Sequence, residues 1–230
     1  MKKVFFKTPL VFLLLFAGCA SSHQTAFRRP EKIIFFGDSI TKLETKPNGY
    51  VTLVDDALKE KYGSKAPELI DANVSGNKVT DLQFRLNRDV LLKNPTVVVI
   101  YIGSDDVWHF DLPGLKGTPK DEYESGLRDI IWRCHGAGAR VILCTPSVIG
   151  EKVHGENSQD QMVDEYAEIT RKVARDTGTQ LCDLHKWFIE YLSRHKPEDT
   201  HKGILTIDGV HLSDEGNRFV SGIMLNALGY

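Results

Sequence analysis

Lys32-Ile-Ile-Phe-Phe-Gly-Asp-Ser39 is the stretch whose reading decides the fold. After Lys32, four residues form an apolar run with no alternation, as in a strand buried on both faces, and the run stops at Gly37. Strands buried on both faces belong to parallel sheets covered by helices. The rest of the chain repeats that logic. Thr96-Val-Val-Val-Ile-Tyr-Ile102 is a second run of the same kind. Shorter strands are predicted at Glu68 to Val74, Arg140 to Cys144 and Gln180 to Asp183. Between them lie helix-like stretches. Val51, Val54, Leu58 and Tyr62 fall near one face of a helix from Gly49 to Tyr62. Val79 to Leu91 follows. Another opens at Pro119 and ends near His135, before Gly136 and Gly138. Then come Asn157 to Thr177, Leu184 to Arg194, and Ser213 to Leu228 with Ser213 as N-cap.

Strands separated by helices imply right-handed βαβ crossovers. The expected fold is α/β, a flavodoxin-like three-layer sandwich with a five-stranded parallel sheet. In such sheets the site lies beyond the carboxyl ends of the strands. That rule selects the loops beginning at Gly37, Ser75, Gly103, Thr145 and His185.

Composition bounds the function. The chain has 230 residues, 41% hydrophobic and 26% charged, as for a single globular domain. A net charge of −2 gives no basic surface for nucleic acid. The first residues differ from the rest. Lys2, Lys3 and Lys7 precede an apolar run from Leu10 to Ala17, followed by Gly18-Cys19. The run is too short to span a bilayer, which needs ~20 apolar residues. It reads as a secretory signal over residues 1–18, with a plain signal and an incidental cysteine as the alternative. Its removal takes away three lysines and no acid, leaving a net charge of −5. Residues 19–31 then read as a tether, and residues 32–230 as the folded domain. Cys134, Cys144 and Cys182 remain, an odd number. Buried thiols are the favoured reading, and one disulfide stays open.

Two loops carry nucleophilic chemistry. Gly37 permits a tight strand-to-helix turn and would place Ser39 at a helix N-terminus, where backbone N–H groups point outward. Taken alone, Gly-Asp-Ser is also a common turn. Far downstream, Ile207-Asp208-Gly-Val-His211-Leu-Ser213 offers a histidine with a carboxylate three residues before it. A serine hydroxyl needs such a base, and the base needs an orienting carboxylate. The alternative for Asp208 and His211 is a capping turn before the last helix. Gly37-Asp-Ser-Ile-Thr41 is not the Gly-x-Ser-x-Gly nucleophile elbow. No His-x₃-His or paired-cysteine spacing suggests a metal, and no phosphate-cradling glycine motif follows the first strand, so no cofactor is expected.

With these residues in view, the chain resembles the SGNH or GDSL hydrolases from Lys32 to Tyr230. The matching blocks are Phe36-Gly-Asp-Ser-Ile-Thr41, Asn73-Val-Ser-Gly76-Asn-Lys-Val-Thr80 and Asp208-Gly-Val-His211. The resemblance implies a serine esterase with Ser39, Asp208 and His211 as triad and the N–H groups of Ser39 and Gly76 in the oxyanion hole. Phe16-Ala-Gly-Cys19 resembles the bacterial lipobox, which implies acylation of Cys19 and a membrane anchor. Phe16 stands where leucine is preferred. In exported members the resemblance suggests O-acetyl groups on cell-wall or plant polysaccharides, or short acyl and lysophospholipid esters, as substrates.

One block departs. The family's Gly-x-Asn-Asp stands here as Gly103-Ser104-Asp105-Asp106. The family asparagine donates a hydrogen bond to the oxyanion, and an ionised Asp105 has none to donate. Losing one such donor costs about 10²–10³ in rate. Three readings stand: a protonated, functional Asp105 with an acid optimum; an ionised Asp105 beside a weaker hole; or a surface protein that binds an acyl or glycan ligand with little turnover. The loop from Val107 to Thr118 is rich in aromatics, and Trp108 and His109 are its candidate substrate contacts. A surface loop anchored by buried Trp108 and Phe110 is the alternative. Glu151 and His154 read as a solvated loop, with an edge of the cleft as the alternative.

Overall fold

The computed structural model describes residues 31–152, 155–195 and 200–230. The signal, the Cys19 lipidation site and nearly all of the tether lie outside the described residues, as does His154. Five parallel strands form one sheet: β1 Lys32–Gly37, β2 Glu68–Asp71, β3 Val97–Tyr101, β4 Arg140–Cys144 and β5 Gln180–Cys182. Their order is β2-β1-β3-β4-β5, the flavodoxin-like arrangement. Helices cover both faces, which is why the β1 and β3 runs show no polar alternation. Ile33 to Phe36 and Val97 to Tyr101 are all at most 1% exposed.

Helix α2 Tyr50–Tyr62 packs on the last helix, α8 Asp214–Leu228. Helices α3 Val79–Asp89, α5 Lys120–Gly136 and α6 Asp160–Thr177 pack in sequence on one another. Two short helices begin at strand ends, α1 Ser39–Lys42 after β1 and α4 Ser104–Trp108 after β3. Helix α7 Leu184–His195 follows β5, and Phe188 meets Phe219 of α8 edge to face.

Some boundaries move, for local reasons. Strand β2 ends at Asp71 rather than Val74. The Asp71 carboxylate accepts the Asn73 N–H at 2.9 Å and forms a local turn, although Ala72 and Val74 still donate to the Phe35 and Gly37 carbonyls of β1 at 2.9 and 3.2 Å. Helix α6 starts at Asp160 rather than Asn157. Asn157 donates its backbone N–H to Asp160 Oδ2 at 3.0 Å and bonds the Lys152 carbonyl through its side chain at 2.6 Å, forming a turn ahead of the helix. Helix α4 occupies the start of what reads from sequence as an irregular loop. Ser213 caps α8 by accepting the Gly216 N–H at 3.0 Å. Cys134, Cys144 and Cys182 are free and buried. Among the described residues no helix is long and apolar enough to cross a membrane.

Candidate active site

Ser39 sits on the first turn after β1. The turn is tight because Gly37 lies against the neighbouring strand, where a Cβ would meet the Tyr101 carbonyl oxygen at 2.1 Å. Asp38 caps α1 by accepting the Ile40 N–H at 3.0 Å, which fixes the orientation of the serine beside it. Ser39 Oγ is 2.9 Å from His211 Nε2. His211 Nδ1 is 2.6 Å from Asp208 Oδ2. The other Asp208 oxygen accepts the N–H groups of Val210 and His211 at 2.9 and 2.8 Å. Burial pushes the Asp208 carboxyl up, but the His211 ring and these N–H groups outweigh it and hold it below the usual range. An ionised carboxylate aimed at Nδ1 leaves Nε2 free to act on the hydroxyl. The Trp108 ring meets the His211 ring edge to face, with centroids 6.0 Å apart.

Facing the serine from β3 is the first turn of α4. Asp105 and His109 are buried together, with Asp105 Oδ1 3.3 Å from His109 Nε2. Burial raises the Asp105 carboxyl, opposed by the nearby rings of His109 and His211 and by the backbone N–H of Gly76. Its second oxygen is buried without a hydrogen-bond partner. Gly76 has φ +78°, a conformation that a side-chain-bearing residue rarely takes. Asp106 accepts the Val79 N–H at 3.1 and 3.2 Å, and burial pushes it up to about 7. Burial raises Asp38 as well, with further repulsion from Asp105 and Asp106. The aromatic loop differs from expectation. Phe110 is 46% exposed, while His109, not Phe110, is the buried anchor beside Trp108.

Two supporting residues take buried roles that no sequence motif marks. Glu151 is not solvated but fully buried. Its carboxylate accepts the Ile204 N–H at 2.9 Å, the Thr206 N–H at 2.5 Å and the Thr206 hydroxyl at 2.8 Å. It thereby ties the loop after β4 to the loop that carries Asp208 and His211. The Gly150 N–H adds a bond to the Gly209 carbonyl at 2.7 Å. Arg85, on α3, donates to the carbonyls of Ala72 and Gly37 at 2.5 and 2.9 Å and to Asn77 Oδ1 at 2.6 Å. It joins the nucleophile turn to the Gly76 loop. A hollow of about 620 Å³ between α6 and α7, lined by Asp164, Arg171 and His185, contains none of the triad side chains.

A doubly wound parallel sheet with Ser39, His211 and Asp208 hydrogen-bonded in series at the carboxyl ends of its strands fits a carboxylic ester hydrolase. The chain belongs to the GDSL-like lipase/acylhydrolase family, whose model matches residues 35–219. Among characterised relatives it is 31% identical to an acetylxylan esterase of Geobacillus stearothermophilus, over 87% of this chain and 94% of that protein. Among solved structures it resembles an acetyl xylan esterase, AlAXEase, with a TM-score of 0.83 and 45% identity, covering 86% of this chain and 99% of that one. It is also 23% identical to YqeF of Bacillus subtilis (strain 168), described as an uncharacterized lipoprotein, over 92% of this chain and 93% of that protein.

Proposed function

We propose that this protein removes acetyl or other short acyl groups from carbohydrates through an acyl-enzyme on Ser39. The observation that carries the reading is the unbroken relay from Ser39 Oγ through His211 to Asp208, at 2.9 and 2.6 Å. Ser39 Oγ attacks the ester carbonyl while His211 Nε2 takes its proton. The carbonyl oxygen becomes an oxyanion facing the N–H groups of Ser39 and Gly76, with Asp105 as third neighbour. His211 returns the proton to the leaving sugar hydroxyl, and the acyl group stays on Ser39. Water, deprotonated by His211, then releases the carboxylic acid. Asp208 holds the ring in the correct tautomer and stabilises its cationic form. The likeness to two acetylxylan esterases supports an acetylated glycan as substrate. The likeness to a lipoprotein supports attachment of the mature chain to a membrane through acylated Cys19.

Acetate release from acetylated xylo-oligosaccharides and from p-nitrophenyl acetate tests the reading. Wild type is expected to turn over both and to carry label from an active-site phosphonate on Ser39. Ser39→Ala is expected to lose at least ~10³ in kcat. Equal rates for wild type and Ser39→Ala would refute the esterase. Cys19→Ala is expected to release the protein from the membrane fraction. Asp105 favours a second reading, a surface protein that binds an acylated glycan with little turnover. Saturable binding without acetate release at any pH would select it.

A further inference from the structure

Asp105 sets a problem that its neighbour solves. The esterase reaction builds negative charge next to Ser39. The family pattern places a neutral amide there, and this chain places a carboxyl group. Four residues on, one turn along the same short segment, His109 brings Nε2 to 3.3 Å from Asp105 Oδ1. Both side chains are withdrawn from solvent, Asp105 to 4% and His109 to 8% exposure. The other carboxyl oxygen, Oδ2, is buried with no partner.

We propose that His109 is a positioning residue for the oxyanion site, forming with Asp105 a two-residue unit that holds one shared proton, stays electrically neutral, and stands in for the uncharged amide. The inference rests on the esterase reading above. In the unit, the Nε2–H of His109 donates to Oδ1. The remaining proton sits either on Nδ1 of His109 or on Oδ2 of Asp105. The first arrangement is an ion pair and the second a neutral acid beside a neutral ring. Both have zero net charge, so neither sets a bare anion against the developing oxyanion. When the proton is lost, the unit carries −1 and opposes the transition state. The proton belongs to the pair, not to either residue.

The sign of the pH effect follows. Two sites share the proton in the wild type, and each adds to the population that keeps it. Replacing His109 by a neutral residue leaves only Oδ2. The unit then loses its proton at lower pH. Other titratable groups face Asp105 from every side. Asp38 approaches from the turn after β1, Asp106 from the same short helix, and His211 from the triad loop. His211 must be neutral to act as base, so it supplies a limb that rises with pH. Asp38 and Asp106 would supply falling limbs that do not depend on residue 105.

The experiment is the pH profile of kcat/KM from pH 4 to 10 with p-nitrophenyl acetate. It uses wild type, His109→Gln, Asp105→Asn and the double variant, with Ser39→Ala as control. A bell is expected for wild type. In His109→Gln the falling limb moves to lower pH by about one unit or more, with roughly tenfold less activity at pH 8. In Asp105→Asn that limb disappears, because an amide has no proton to lose. In the Asp105→Asn background His109→Gln costs less than about twofold, because there is no carboxyl left to compensate. A purely structural His109 would cost the same in both backgrounds. A falling limb that stays in place in His109→Gln overturns the inference. So does a limb that survives Asp105→Asn, which assigns it to Asp38 or Asp106. If His109→Gln does not fold, the Asp105→Asn profile alone carries the test. Ser39→Ala separates the two levels. Wild-type rates in Ser39→Ala sink the esterase reading, whereas Ser39-dependent turnover with an unmoved limb sinks only the role of His109.

Discussion

Replacing Arg85 by alanine should weaken the protein and the site together, by an amount that its contacts set. The guanidinium is 6% exposed and lies 4.5 Å from the Phe36 ring centroid. It satisfies two carbonyls at strand ends, those of Gly37 and Ala72, at 2.9 and 2.5 Å. Burial works against its charge, and Asp89 at 3.3 Å offsets part of that cost. Alanine strands the Ala72 carbonyl, whereas the Gly37 carbonyl keeps the Val74 N–H at 3.2 Å. A buried polar group left without a partner costs about 1–3 kcal/mol. Water entering the vacated space favours the low end, and loss of packing on Phe36 adds to it. We expect a loss of about 3 kcal/mol in urea unfolding, a large fraction of the 5–15 kcal/mol typical of a domain. Arg85→Lys places one ammonium where a fork stood. It should recover about 1 kcal/mol through a single carbonyl. Catalysis should suffer more than stability in this variant. Arg85 also holds Asn77, the residue after Gly76, and a displaced Gly76 N–H costs rate at full folding. A loss under about 0.5 kcal/mol for Arg85→Ala, or wild-type kcat for Arg85→Lys, would refute the clamp.

Two further perturbations bear on the same scaffold. Glu151→Gln keeps the shape but turns one acceptor into a donor facing a backbone N–H. It should cost about 1–3 kcal/mol and about tenfold in kcat through misplacement of Asp208 and His211, read by urea unfolding and by acetate release. Asp106 has its folded value raised from 3.8 to about 7, so its contribution to stability is fully present below pH 3.8 and lost as pH rises through 7. At about 1.4 kcal/mol per unit, the loss by pH 8 approaches roughly 4 kcal/mol. The difference in unfolding free energy between wild type and Asp106→Asn, measured at pH 5 and pH 8, should therefore shift against the wild type as pH rises. A pH-independent difference would refute it.

The fold was legible because its signals are local. Continuous apolar runs at Ile33 to Phe36 and Val97 to Ile102 announce strands covered on both faces, and the helices between them leave few topologies. The boundaries that moved did so through side-chain bonds to nearby backbone, as at Asp71 and Asn157, which periodicity does not register. The buried roles of Glu151 and Arg85 were not legible. Glu151 bonds residues more than fifty positions away, and Arg85 reaches 48 positions back to Gly37. Neither pairing has a spacing rule. In sequence, both look like ordinary charged residues on a loop and a helix.

Asp105 shows both sides of this limit at one position. A carboxyl group has nearly the shape of the amide in the family pattern. Asp106 ties the start of α4 to the segment from Gly76 to Val79 through the Val79 N–H, and the Gly76 N–H lies near Asp105. The architecture is therefore indifferent to the exchange, and the fold matches an esterase neighbour at a TM-score of 0.83. The chemistry is not indifferent. Three carboxyl groups, of Asp38, Asp105 and Asp106, now crowd the ends of β1 and β3, each raised first by burial, and Asp38 and Asp106 also by the charge of Asp105. A site that must stabilise an anion tolerates this crowding only while protons remain in it. The sequence shows the missing donor because the position is defined by its motif. It does not show the compensating partner, because His109 falls in a stretch that reads as an irregular aromatic loop. Only the helical turn from Ser104 to Trp108 brings residues 105 and 109 onto one face.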